Sequence, residues 1–207
     1  MANVKKYDKH ALVNLLRHNE RTVENPSNED IDSNKSHLNY SLAPDRGMSS
    51  FDYFKQRKSE LYCYNRADVK VVASWVVTAP RDLPAEQHRA FFESVNRFLM
   101  NRYKEENCIQ SIVHLDESGQ SHLHYVWVPS VPDKKHGGEK ICCNDVLTRR
   151  ELRNFHPELQ KHLQADGICA RVMSGITAVQ GNRTVREMKQ ERQWQHEHER
   201  TLERGRW

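Results

Sequence analysis

His114-Leu-Asp116-Glu117-Ser-Gly-Gln-Ser-His122-Leu-His124 separates two apolar runs, Cys108-Ile-Gln-Ser-Ile-Val113 and Tyr125-Val-Trp-Val128. Both runs are short, rich in β-branched and aromatic residues, and bounded by turn residues, which predicts a β-hairpin. Side chains alternate faces along a strand, so His122 and His124 share one face while Leu123 and Tyr125 take the other. In-register pairing brings His114, at the end of the first strand, level with that pair. Three imidazoles converging beside a carboxylate form a facial metal site with open positions, suited to a cation that must still bind a substrate. Two plainer readings compete. Alternating histidines also make a solvated polar face, but the third imidazole and Glu117 weigh against that. A closed structural zinc site usually leans on thiolates, and no cysteine lies in the cluster.

Outward from the hairpin, Val69-Lys-Val-Val-Ala-Ser-Trp-Val-Val-Thr78 is nearly continuous in strand formers and reads as a central strand. Leu83-Pro84-Ala85 opens a long helix with Phe91, Phe92, Val95, Phe98, Leu99 and Tyr103 on one face. Upstream, residues 9–20 set Leu12, Leu15 and Leu16 on a helical stripe, 24–36 form a polar loop, His37-Leu-Asn39-Tyr40-Ser-Leu42 alternates like a strand, and a helix covers about 51–61. Downstream, Pro129 and Pro132 end the hairpin and Lys140-Ile-Cys-Cys143 is a short strand. Thr148-Arg-Arg-Glu151 is a capping box for a helix that reaches Asp166-Gly167, with a break at Pro157. The pattern implies an α+β sandwich, a mostly antiparallel central sheet flanked by helices, with the histidine hairpin in the middle.

At 207 residues the chain suits one sizeable domain, placed at residues 1–182, followed by a charged, helix-prone extension at 183–207 that starts something longer. Net charge is only +4, but Lys and Arg cluster at Lys55-Gln-Arg57-Lys58 and Arg149-Arg150, compatible with a polyanionic partner and equally with solvated helix faces. Five cysteines without paired spacing fit reduced thiols and a cytoplasmic setting. No apolar run is long enough for a membrane span or a secretory signal.

A second constellation lies near the start. His18 and Arg21, at i and i+3, share a helix face. Arginine clamps phosphate bidentately, and a neutral imidazole beside it can attack or protonate that phosphate. Alone, the pair also describes an ordinary helix end. Taken in order, His18-Asn-Glu-Arg21, then His37-Leu-Asn39-Tyr40-Ser-Leu42, then His114-Leu-Asp116-Glu117 with His122-Leu-His124, the chain resembles the MobV family of plasmid relaxases, the Pre/Mob mobilisation proteins. That family carries a His-x-x-Arg motif, an Asn-Tyr-x-Leu motif and a His-x-Asp-Glu…His-x-His motif. One departure is the loop Ser118-Gly-Gln-Ser-His122, a residue longer than the family's usual step and lacking its proline.

The resemblance implies an HUH-like endonuclease that nicks one strand of plasmid DNA at an origin of transfer and keeps the 5′ end as a phosphohistidine on His18. A divalent cation, manganese in preference to magnesium, would sit on His114, His122 and His124. Arg21, Asn39 and Tyr40 would face the DNA; separately from the resemblance, the basic positions Lys55, Lys58, Arg149 and Arg150, on helices flanking the predicted sheet, are expected to contact phosphates. Glu117 is open to three roles: ligand, support for a ligand imidazole, or proton shuttle. No small-molecule substrate is implied. A homodimer or a membrane association would rest on regions beyond this chain. Two alternatives stand beside it: a Tyr-dependent rolling-circle replication initiator, drawing on Tyr40, Tyr53, Tyr62 or Tyr64, and a non-enzymatic DNA-binding autoregulator.

Overall fold

Period-two alternation in the apolar runs builds a single five-stranded sheet. The computed structural model describes residues 2–23 and 28–173, together with 187, 190 and 194. Its strands are β1 (Ala2–Asp8), β2 (Tyr40–Ser41), β3 (Lys70–Thr78), β4 (Cys108–His114) and β5 (His122–Trp127). They pair antiparallel throughout, in the order β1-β3-β5-β4-β2. The histidine strand β5 is therefore the middle one, while β3, read as central, lies second from the edge.

Helices α1 (Lys9–Asn19) and α2 (Ser50–Ser59) cover one face of this sheet. Helix α3 (His88–Tyr103) covers the other. A two-stranded sheet of β6 (Ser130–Pro132) and β7 (Glu139–Ile141) precedes the short α4 (Cys143–Val146) and the long α5 (Arg149–Ala165). On the α3 face, Trp75, Leu123, Tyr125 and Trp127 pack with Phe91, Phe92 and Leu99 of α3 and with Phe155, Leu159 and Leu163 of α5. On the opposite face, Val72 and Val126 meet Leu12 and Leu16 of α1 and Tyr53 and Phe54 of α2. Alternation along β5 thus sends Leu123, Tyr125 and Trp127 into the first core and leaves His122 and His124 on the α1 side.

Caps fix where the helices begin. The Asp8 carboxylate accepts from the backbone N–H of His10 and Ala11 at 3.1 and 3.0 Å, and Thr148 Oγ1 accepts from Glu151 N at 3.2 Å. At the far end of α5, Gly167 takes a left-handed φ of +74°, as a helix-ending glycine should.

Three expectations need correction, and one strand has no counterpart in the sequence reading. The segment around 37–42 is a 3-10 turn over Ser33–Leu38 followed by only a two-residue strand, because Asp32 caps the turn through Asn34 N (3.1 Å) and short polar side chains bond locally. Pro157 does not break α5: it lies on the exposed face, where the carbonyl it frees can meet water, and Phe155, Leu159 and Leu163 anchor both sides. Strand β1 lies in a stretch whose two lysines mask its alternation; as an edge strand it buries little. The short strand read at 140–143 is Glu139–Ile141 and belongs to the separate two-stranded sheet.

The chain divides into compact units at residues 1–173 and 174–207. The boundary read at 182/183 and the tip of the loop read at 24–36 fall largely outside the described residues; positions 187, 190 and 194 are helical. Among the described residues no helix is long and apolar enough to cross a membrane.

Candidate active site

Register assembles the histidine cluster. His114 and His122 are direct partners across β4 and β5, and His124 pairs one step on with Ile112. Ring centroids are 5.4 Å apart for His114 and His122, 4.6 Å for His114 and His124, and 4.9 Å for His122 and His124. One ring nitrogen from each lies within 4.8 Å of the others, close enough to share an ion.

Backbone carbonyls set two of the tautomers. His114 Nε2 lies 2.8 Å from the Asn19 carbonyl and His122 Nδ1 lies 3.0 Å from the Gln120 carbonyl. A carbonyl only accepts, so those nitrogens carry the ring protons, leaving lone pairs on His114 Nδ1 and His122 Nε2. His124 Nδ1 is buried with no hydrogen-bond partner among the described residues. Burial, reinforced by the Arg21 charge, pushes the His114 pKa down to about 4. Burial and the neighbouring imidazoles hold His124 well below the ordinary value. Neutral imidazoles with presented lone pairs, one unpartnered buried nitrogen and an adjacent carboxylate fit a divalent ion.

Helix α1 brings a fourth imidazole over this cluster. His18 occupies its last turn, with its ring centroid 6.2 Å from that of His124 and 6.4 Å from that of His114. Burial and then the Arg21 charge lower its pKa, so the ring is held neutral. Arg21 does not share the helix face as its spacing suggests. The helix ends at Asn19, and Arg21 adopts a left-handed φ of +57°, closing the turn through Arg21 N to the His18 carbonyl (3.2 Å) and Thr22 N to the Arg17 carbonyl (3.0 Å). That conformation costs a non-glycine residue about 1 kcal/mol and folds the side chain back under the cluster.

There the guanidinium is almost fully engaged. Nε and Nη2 donate to the two Asp116 carboxylate oxygens at 2.8 Å each, Nη2 also donates to Glu117 Oε1 at 2.8 Å and His114 Nδ1 at 3.0 Å, and Nη1 donates to the His18 carbonyl at 3.0 Å. Burial alone would raise the Asp116 pKa, but hydrogen bonds from Arg21 and Ser36 outweigh it and hold the carboxyl far below its usual range. Glu117 Oε1 lies 3.9 Å from His114 Nδ1 and 3.8 Å from His122 Nε2, beside the cluster without touching it. Backbone pairing steadies this corner: Asp32 N donates to the Asp116 carbonyl at 2.7 Å and Ser118 N to the Asp30 carbonyl at 3.1 Å.

The remaining candidates separate. Tyr40 pairs with Val113, packs against the core on the α3 face and lies under the Arg89 guanidinium at 5.0 Å, across the sheet from the histidines. Asn39 Oδ1 accepts from Leu115 N at 2.7 Å, latching the end of β4. Lys55 and Lys58 lie on α2, on the histidine side; Lys55 pairs with Asp52 at 2.6 Å. Arg149 and Arg150 are exposed at the start of α5, on the opposite face. Four contributors escaped the sequence reading: Asp116, Ser36, Asn19 and Gln110. Asn19 Nδ2 donates to Gln110 Oε1 at 3.0 Å, tying the end of α1 to β4. Asp116 and Asn19 lie within the quoted motifs, but nothing local marks Ser36 or Gln110.

This sandwich, with three imidazoles on its central hairpin and a fourth on the helix above, has the architecture of solved relaxase domains. A solved MobM relaxase domain, bound to manganese and to oriT DNA of plasmid pMV158, has the same fold: TM-score 0.73 and 28% identity, covering 92% of this chain and 97% of that one. A related MobM structure with a 26-nucleotide oriT DNA gives a TM-score of 0.65. The family model described as plasmid recombination enzyme matches residues 1–190, and the chain belongs to that family. A plasmid recombination enzyme of Streptococcus agalactiae is 33% identical over 175 residues, and one of Lactiplantibacillus plantarum 32% identical over 165. Those matches take in 81% and 75% of this chain but only 34% and 44% of the relatives, so the chain spans less than half of their length.

Proposed function

We propose that this chain carries the nicking domain of a plasmid relaxase, which cleaves one strand at an origin of transfer and keeps the 5′ end on His18. The observation that carries the reading is the His18 ring, 6.2 Å from that of His124 and neutral, on the same face of the sheet as the cluster. Tyr40, the tyrosine of the shared motifs, packs on the other face.

The chemistry follows from the side chains. His18 uses the lone pair of one ring nitrogen to attack phosphorus, the bond to the 3′ oxygen breaks, and a phosphoramidate joins His18 to the 5′ phosphate. The imidazole releases its ring proton as the 3′ oxygen takes one up, so the step balances and can run backwards to reseal the strand. His114, His122 and His124 would hold a divalent ion, manganese by analogy with the MobM complexes, which polarises the phosphate when bound. Glu117, within 4 Å of two ligand imidazoles, is placed to orient them or to pass the proton. Arg21 spends its fork on Asp116, so it acts first as an organiser of the corner and only then as a phosphate contact.

Plasmid DNA as substrate and the five free cysteines favour work in the bacterial cytoplasm. The relatives' extra length favours a further C-terminal region after residues 183–207, where any dimer contact would lie.

The test is a nicking assay on supercoiled DNA carrying the region that flanks the chain's own gene, with manganese added. Relaxed product and a covalent adduct are expected, with the adduct acid-labile, lost in His18→Ala and kept in Tyr40→Phe. An acid-stable adduct on tyrosine would make the protein a Tyr-dependent initiator instead. DNA binding without any nick would leave it a non-enzymatic regulator.

A further inference from the structure

One lone pair in this site has two claimants. His114 Nε2 faces the Asn19 carbonyl at 2.8 Å and so carries the ring proton, which leaves Nδ1 as the only atom through which His114 can hold an ion. Arg21 Nη2 already donates to that nitrogen from 3.0 Å. An ion bound about 2.1 Å from Nδ1 takes the same electron pair, so the two contacts exclude each other. Resting on the metal-assisted reading above, we propose that Arg21 is a positioning residue that competes with the divalent ion, acting as the resident cation of the cluster and setting how tightly the ion binds.

The surroundings make such an exchange local. Nη2 has two hydrogens and three acceptors: Asp116 Oδ1 at 2.8 Å, Glu117 Oε1 at 2.8 Å and His114 Nδ1 at 3.0 Å. It can surrender His114 and stay hydrogen-bonded. Nε remains on Asp116 Oδ2, and Nη1 on the His18 carbonyl, so the guanidinium is not expelled when the ion arrives. Its positive charge nevertheless stays beside the ion and neutralises the two carboxylates that would otherwise attract it. All three effects work in one direction. With Arg21 in place, His114, Asp116 and Glu117 stay assembled around a guanidinium and the ion binds less tightly than the donors alone would allow.

An ordinary outer residue that supports a metal site has the opposite signature, since its loss weakens ion binding by about 10–100-fold. The experiment is a calorimetric titration of manganese into the DNA-free protein, wild type against Arg21→Gln. We expect the variant to bind manganese more tightly, by on the order of tenfold. Unchanged or weaker binding in an Arg21→Gln protein with a native circular dichroism spectrum overturns the proposal. Should that variant not fold, the wild-type protein answers the question by nitrogen-15 NMR with zinc as a diamagnetic ion. The coupling across the hydrogen bond from Arg21 Nη2 to His114 Nδ1 should vanish as zinc saturates the site, and a coupling that persists in the zinc-bound protein overturns the proposal. Wild-type protein that binds neither ion sinks the metal-assisted reading as well; binding without the reversed sign sinks this inference alone.

Discussion

Arg21 and Asp116, 95 positions apart, are joined by two parallel hydrogen bonds of 2.8 Å, Nε to Oδ2 and Nη2 to Oδ1. The Asp116 side chain is wholly buried and that of Arg21 only 11% exposed. Such a fork-to-fork pair is geometrically specific, and removing one partner strands the other charge out of water. Asp116→Ala should therefore destabilise the domain by about 3 kcal/mol, read by urea unfolding. Arg21→Met combined with Asp116→Leu should recover much of the loss, because replacing both partners leaves no buried charge. Equal losses for the single and double variants would mean that the pair contributes nothing as a pair.

That relationship also marks how far sequence reasoning reaches. The histidine hairpin was legible because strand periodicity is two and His114, His122 and His124 fall in step with it. The long helices were legible from their apolar stripes, Phe91 to Tyr103 being the plainest. The Arg21–Asp116 pair was not, although both residues lie in quoted motifs. It depends on a φ of +57° at Arg21, a conformation that no local preference predicts for arginine. Likewise, the alternation of His37, Asn39 and Ser41 with Leu38, Tyr40 and Leu42 mimics a strand, yet the Asp32 cap wins the first half of that segment for a turn. Lys5 and Lys6 hide β1, since an edge strand tolerates charges that a central one would not.

Phe155 tests the packing that holds α5 to the sheet. It is fully buried, stacked on Trp75 with centroids 3.6 Å apart, and meets Phe98 edge-on at 5.5 Å. Phe155→Ala should cost about 3–5 kcal/mol through lost burial and the cavity left behind. Below its lowered melting temperature the variant should still nick, since Phe155 lies across the sheet from the histidines. A destabilisation under about 1 kcal/mol would show that the site collapses around the gap.

Salt dependence can rank the basic patches. Lys55 and Lys58 lie on α2, on the same face as His18 and the cluster, whereas Arg149 and Arg150 open α5 on the other face. Charge reversal at Lys55 and Lys58 should lower affinity for an origin oligonucleotide and flatten the dependence of log affinity on log salt. The slope should fall by about 1.5, at roughly 0.7–0.9 for each phosphate that is no longer neutralised. Reversal at Arg149 and Arg150 should change that slope less. The opposite order would move the DNA to the α5 side.

The pH profile of nicking bears most directly on His18. Burial, followed by the Arg21 charge, holds its pKa below the ordinary imidazole value of 6.5. The attacking form is the unprotonated ring, so activity should rise with pH and level off once that pKa is passed. The inflection of the acid limb is therefore expected below 6.5, with the rate flat through neutrality. A bound divalent ion adds positive charge nearby and moves the inflection further in the same direction. Any loss of ion binding through protonation of the ligand imidazoles is read separately, by titrating manganese at each pH. Arg21→Lys should keep a cation beside His18 and leave the inflection near its wild-type position, while lowering the plateau because an ammonium cannot form the fork to Asp116. An acid limb centred above about pH 7 would mean that some other group, tyrosine included, must lose its proton before the strand is cut.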